Sequence, residues 1–302
     1  MFGLARSASL DRILRKSSPS SPSGDGAAKN REEAAAGSGS IVAPLRLVAV
    51  TARTGPMARL RRAYEWGVFY ELLAVFGLSS LLWSVLAAML YPLLPRRLGE
   101  PIGQFMIMAG FRYFVAAMRL TGIIDCDLKA LDTLRRGTAV VIAPNHPSLL
   151  DAVLVISRLP RVACAAKAEI WDNAFLGAGA RLAGYIRNDS TTALIRHAVL
   201  QLQAGRHFLI FPEGTRSRTL PLGDFKGGFA LIAKKARTPV QTVFIESNSR
   251  FLGKGWSLFR RPEFPLVYRV RVGRRLAVEG DIHEFVDELH AYFRRELAGR
   301  DS

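Results

Sequence analysis

The chain has 302 residues, with 42 Lys+Arg against 25 Asp+Glu, a formal net charge of +17, and 49% apolar residues. Those proportions exclude a globally disordered chain and a collagen-like one. Two cysteines cannot build a disulfide framework, and no CxxC or Cys/His cluster points to structural zinc. Nucleic acid, an anionic membrane surface or an anionic substrate could each account for the charge.

Residues 1–56 read as a disordered leader. The stretch from Ser17 to Ser40 is rich in Ser, Gly, Ala and Pro and holds no aromatic residue. It cannot bury enough apolar surface to offset its chain entropy. Arg6, Arg12, Arg15 and Lys16 fit a transit peptide less well than they fit a dispensable leader. A translation start placed too early is the other reading, with Met57 opening the ordinary chain.

Leu72 to Leu94 then runs without a formal charge and is dense in Leu, Val, Ala, Phe and Trp. About 20 such residues cross the ~30 Å hydrocarbon core as a helix. Arg59, Arg61 and Arg62 precede the run, and Arg96 and Arg97 follow it. Trp66, Tyr70 and Tyr91 stand near its ends, where amphipathic rings prefer the interface. Pro92 is placed to stop the helix. A second apolar stretch, Ile102 to Leu120, carries Arg112 and Arg119 and fits a re-entrant or interfacial helix. Residues 57–122 are therefore expected to be membrane-anchoring helices.

From Ile123 the pattern is α/β. Strand-like runs occur at Ala139–Ala143, Val162–Ala165, His207–Phe211, Val240–Ile245 and Val267–Val272. Helical periodicity appears at Ala193–Gln203, Phe225–Lys235 and Ile282–Leu297. The expected fold is a mixed sheet covered by helices, preceded by the membrane helix or helix pair.

Two segments carry chemistry. Asn145-His146-Pro147-Ser148-Leu149-Leu150-Asp151 follows directly on the strand AVVIAP. Sites in α/β sheets sit beyond the carboxyl ends of strands. A turn into a helix at Pro147 would put Asp151 one turn in, able to curl back to the His146 ring. A carboxylate on one imidazole nitrogen leaves the other free to take a proton from a hydroxyl. The plainer alternative is a loop histidine with a helix-start acid. Phe211-Pro212-Glu213-Gly214-Thr215-Arg216-Ser217-Arg218 follows the strand HFLIF. Gly214 permits a tight turn, Glu213 can accept from hydroxyls, and Thr215, Arg216 and Arg218 offer donors to an anion. The plainer alternative is a polar surface turn.

In tandem these segments resemble the glycerolipid acyltransferase family, whose type members are the 1-acylglycerol-3-phosphate acyltransferases. Lys167-Ala168-Glu169 with Phe175-Leu176-Gly177, Phe225-Lys226-Gly227-Gly228 and Thr238-Pro239-Val240 resemble further family segments, so the likeness runs over roughly residues 120–275. It implies an acyltransferase domain over residues 123–302 and transfer from acyl-CoA or acyl-carrier protein to a lysophospholipid hydroxyl. His146 would be the general base and Asp151 its orienting partner. Glu213, Gly214, Thr215, Arg216 and Arg187 would hold the acceptor, and Asn145 and Lys167 complete the expected substrate-binding set. No nucleophilic serine is needed, in keeping with the lack of a Gly-x-Ser-x-Gly elbow. No metal and no cofactor beyond the donor are expected, and the site is expected at the inner membrane facing the cytosol.

Two departures leave the acceptor open. In Gly184-Tyr185-Ile186-Arg187-Asn188-Asp189 the arginine comes early and the acid last, and Thr242 stands where the final segment usually has a second proline. The same chemistry on a different lysolipid or specialised alcohol is therefore the alternative. A non-catalytic basic protein that binds membranes or nucleic acid is the alternative from another class. It lacks any recognised nucleic-acid motif, so no nucleic-acid partner is expected. The glycines of Gly177-Ala-Gly179-Ala-Arg-Leu-Ala-Gly184 miss the dinucleotide spacing and read as close helix packing. The basic run Lys254, Arg260, Arg261, Arg269, Arg271, Arg274 and Arg275 is either a solvated face or a contact for anionic headgroups or an acidic carrier.

Overall fold

The five expected strand runs pair, with two short additions, into one seven-stranded sheet. The computed structural model describes residues 55–188, 191–217 and 222–298. The expected leader lies almost wholly outside them. The strands are β1 (Ile124–Asp127), β2 (Val141–Pro144), β3 (Val162–Ala166), β4 (Ile186–Arg187), β5 (His207–Leu209), β6 (Val240–Ser247) and β7 (Leu266–Leu276). Their order is β1-β7-β6-β2-β5-β3-β4. Every neighbouring pair is parallel except β6 with β7. β2 lies at the centre and all four of its residues are buried, as a strand covered on both faces requires.

Alternate residues of β2 feed two cores. Ile142 belongs to one, with Leu154 and Val155 of α3 (Leu150–Ile156) and with Phe69 and Val115 from the two long N-terminal helices. Val141 and Ala143 belong to the other, with residues of α6 (Thr191–Gln203), α7 (Gly228–Ala236) and α8 (Ile282–Ala298).

The N-terminal helices are α1 (Pro56–Leu90) and α2 (Arg96–Leu120). α1 starts well before the charge-free run and ends four residues inside it. Leu93 and Leu94 lie in the turn to α2, because Pro92 and Pro95 cannot continue the helical ladder. At 35 residues α1 is about 52 Å long, and only 11% of its most apolar window is buried. It is long and apolar enough to cross a membrane.

α2 differs from the expected surface helix on one side. That side docks on the domain: the Gln104 amide donates to the Ala183 carbonyl at 3.0 Å, and Glu100 accepts from Gln201 and Arg206. Its other side exposes Leu98, Ile102, Phe105, Met106 and Tyr113. The glycine-rich stretch explains the fit. It forms α5 (Gly177–Leu182), preceded by the short α4 (Ala168–Trp171). A Cβ on Gly179 would stand 2.6 Å from Trp83 Nε1 of α1, and one on Gly103 of α2 would stand 2.6 Å from the Ala183 backbone nitrogen. These glycines serve close helix packing.

Candidate active site

Because β2, β3, β4 and β5 run parallel, their carboxyl ends share one edge of the sheet. His146 follows β2, Lys167 follows β3, Arg187 ends β4, and the segment from Phe211 to Arg216 follows β5.

The turn after β2 is built around a buried carboxylate. His146 Nδ1 lies 2.9 Å from Asp151 Oδ2, and the Ser148 backbone N–H donates to the same oxygen at 2.7 Å. Asp151 sits in the first turn of α3 and has no solvent exposure, while 11% of the His146 side chain is exposed. Burial pushes the Asp151 carboxyl above the ordinary carboxylate range, against the opposing pull of His146 and the Ser148 N–H. Asn145 is part of the frame. Its amide donates to the Ile245 carbonyl at 2.9 Å and accepts the Ile245 N–H at 2.7 Å, which locks the end of β2 to β6. The Ser148 hydroxyl donates to the Phe251 carbonyl at 2.8 Å.

The segment after β5 holds the histidine through three contacts. The Phe211 ring stacks on the imidazole, with centroids 3.7 Å apart and planes 16° from parallel. The His146 N–H donates to Glu213 Oε1 at 2.9 Å, and the Ser217 N–H donates to the His146 carbonyl at 2.8 Å. Glu213 Oε2 accepts the Gly223 N–H at 2.9 Å. Each Glu213 oxygen therefore holds a backbone group, and the buried carboxylate ties two loops together. Gly214 turns the chain at a φ of +67°, which favours glycine, with its N–H on the Phe211 carbonyl. Thr215 is half-buried beside it.

Arg216 reaches a different loop. Its Nη1 donates to the Leu252 and Gly253 carbonyls at 2.9 and 2.8 Å. The Leu149 N–H donates to the same Leu252 carbonyl at 3.2 Å. Leu252 holds a φ of 55°, strained for a leucine, between these partners. Arg187 Nη1 donates to Asp172 Oδ1 at 3.2 Å, and Lys167 is exposed at the start of α4. Arg218 and Asp189 lie outside the described residues. Asn145, His146, Asp151, Glu213 and Arg216 thus belong to one hydrogen-bonded assembly, while Lys167 and Arg187 stand at the β3–β4 end of the edge. No group of His, Cys, Asp and Glu fit to hold a metal occurs among the described residues.

Residues 126–246 match the sequence profile of the family described as Acyltransferase. The chain is 23% identical over 229 residues to the 1-acyl-sn-glycerol-3-phosphate acyltransferase of Pseudomonas aeruginosa, covering 74% of this chain and 84% of that protein. It is 26% identical over 245 residues to the human 1-acyl-sn-glycerol-3-phosphate acyltransferase beta, covering 79% and 85%. Residues 126–246 thus match an acyltransferase domain, and the relatives support the glycerolipid acyltransferase family. It is an O-acyltransferase. Its fold matches the crystal structure of the 1-acyl-sn-glycerophosphate (LPA) acyltransferase PlsC from Thermotoga maritima, with a TM-score of 0.57 and 19% identity over 80% of this chain and 98% of that one.

Sequence reasoning named Phe211 and Ser148 only as members of their motifs. It assigned nothing to Gly223 or to the carbonyls of Phe251, Leu252 and Gly253. An aromatic residue ending the strand before Glu213 is a signal for the stack. A backbone carbonyl leaves no mark in sequence.

Proposed function

We propose that this acyltransferase moves an acyl chain from acyl-CoA or acyl-carrier protein to the free hydroxyl of a 1-acylglycerol-3-phosphate-like acceptor at a membrane. The carrying observation is the 2.9 Å contact between His146 Nδ1 and the fully buried Asp151. With Asp151 ionised, Nδ1–H donates to it and Nε2 keeps its lone pair. Nε2 takes the acceptor's hydroxyl proton as the oxygen attacks the thioester carbonyl. The tetrahedral intermediate then collapses and expels the thiolate, which leaves with a proton as the thiol. Asp151 stabilises the imidazolium formed on the way. The Phe211 face lies against the same ring and helps fix its plane.

The acceptor assignment is supported by the shared name of the relatives in Pseudomonas, human and other organisms. Thr215, Arg216, Lys167 and Arg187 supply the donors for its phosphate along the open strand edge. The apolar faces of α1 and α2 are supported as the bilayer-embedded part by the exposed Leu78, Leu82, Met89, Phe105 and Tyr113. The domain faces the cytosol, where both thioester donors occur.

The test is transfer of labelled acyl-CoA and acyl-carrier protein to a panel of lysolipids and alcohols, with wild type and His146→Ala. Label should enter 1-acylglycerol-3-phosphate and His146→Ala should lose it, by about 10²–10⁴-fold or more. Undiminished transfer by a folded His146→Ala protein would overturn the base assignment. Label confined to non-phosphorylated alcohols would overturn the acceptor.

A further inference from the structure

The loop between β6 and β7 has no role in the reaction as described, yet it is tied at one end to the catalytic turn and at the other to α1. The Phe251 and Leu252 carbonyls accept from Ser148 Oγ, the Leu149 N–H and Arg216. The Phe251 ring packs edge-on against Phe69 of α1 at 6.0 Å. Farther along, the Tyr70 hydroxyl of α1 donates to the Phe259 carbonyl at 3.2 Å, and Arg261 pairs with Glu65 and lies over the Trp66 ring. The loop is therefore fixed beside the stretch of α1 where Arg59, Arg61 and Arg62 give way to apolar residues, next to Trp66 and Tyr70.

What this loop presents outward is unusual for a water-facing turn. Phe259 is 67% exposed and Leu258 46% exposed. From Arg250 to Pro262 there are four basic residues, Arg250, Lys254, Arg260 and Arg261, and no acid. Arg260 folds over the Trp256 ring at 4.6 Å, and the Trp256 indole donates to the Arg260 carbonyl, so the tip has a defined shape. Large exposed apolar side chains amid cations, level with the aromatic residues of an apolar helix, match the headgroup layer of an anionic bilayer.

We propose that residues 254–261 form an interfacial wedge. Leu258 and Phe259 enter the acyl boundary of an anionic lipid surface while Arg260 engages headgroup phosphates. The wedge sets the depth of the catalytic turn, because the same loop holds Ser148, Leu149 and Arg216 through its carbonyls. This inference rests on the membrane reading above and adds to it a lipid contact outside α1 and α2.

The test uses the full chain in vesicles of phosphatidylcholine with or without phosphatidylglycerol. An environment-sensitive fluorophore is attached at Phe259→Cys and, separately, at Leu82→Cys on α1; both native cysteines are buried. The label at 259 should shift to the blue and be quenched by nitroxides placed just below the headgroups, more strongly with phosphatidylglycerol. A label at 259 that emits as in water while the one at 82 is quenched overturns the wedge and leaves the membrane reading intact. Water-like emission at both positions overturns the membrane reading itself. As a second readout, the double variant Leu258→Ser/Phe259→Ser should lose about fivefold in transfer on anionic vesicles and less than about twofold in detergent micelles. Equal loss in both settings would also overturn the wedge.

Discussion

The two ends of the site are held very differently. At the His146 end, Asn145, Ser148, Asp151 and Glu213 are each no more than 3% exposed, and each has hydrogen bonds to backbone or ring atoms. At the β3–β4 end, Lys167 is exposed and the Arg187–Asp172 pair spans 3.2 Å between side chains that are 39% and 59% exposed. A buried hydrogen-bonded network is costly to break, whereas an exposed ion pair contributes about 0–1 kcal/mol. On the proposed mechanism the proton-transfer geometry is built in advance, whereas Lys167 and Arg187, two of the donors proposed for the acceptor's phosphate, sit where they can adjust. In that reading, the reaction and part of the acceptor choice belong to separable parts of the molecule.

The largest effect should come from Asp151→Asn. The amide leaves the shape of the turn nearly unchanged but can donate to Nδ1 and stabilise the wrong tautomer. Transfer should fall by about 10²–10⁴-fold. Stability should move the other way. The folded-state pKa of Asp151 is raised, so its stabilising contribution is full below the unfolded value and declines as pH rises through the folded one. At pH 8, far above the unfolded carboxyl's range, the wild type has moved away from that stabilising limit, whereas asparagine has no such dependence. The melting temperature of Asp151→Asn at pH 8 should equal or exceed that of wild type. A large drop would mean that the carboxylate is chiefly structural.

Glu213→Gln comes next. The amide keeps one acceptor and turns a donor toward the other backbone N–H, so one of the bonds to His146 or Gly223 is lost. An unsatisfied buried donor costs about 1–3 kcal/mol, and kcat should drop about tenfold with KM little changed. A rise in KM at constant kcat would instead assign Glu213 to the acceptor and blur the contrast between the two ends.

How far the sequence carried depended on whether a contact was local. The turn from His146 to Asp151 was legible because its partners are five residues apart on either side of a helix start. The strands β2, β3, β5, β6 and β7 were legible as apolar runs. β1 and β4 were not, being four and two residues long with half-exposed patterns that match many loops. The start of α1 was missed, since the helix begins at Pro56, well before the charge-free run, while its end just before Pro92 was legible. Charge marks where apolar residues begin, whereas proline geometry marks where a helix stops. The roles of Asn145 and Glu213 were out of reach because their partners are the backbone of Ile245 and Gly223, which any residue could supply.

The smallest predicted effect tests the adaptable end. Arg187 lies on the shortest strand, at the site of the displaced arginine, and its ion pair with Asp172 is open to solvent. Arg187→Ala should change stability by less than about 0.5 kcal/mol, as surface substitutions usually do. If Arg187 meets the acceptor's phosphate, KM for a phosphorylated acceptor should rise by about three- to tenfold, and added salt should narrow the gap, while kcat holds. A non-phosphorylated acceptor should show no difference between variant and wild type. A fall in kcat with KM unchanged would place Arg187 with the groups that act in the transition state, and the division of the site into a fixed end and an adaptable end would fail.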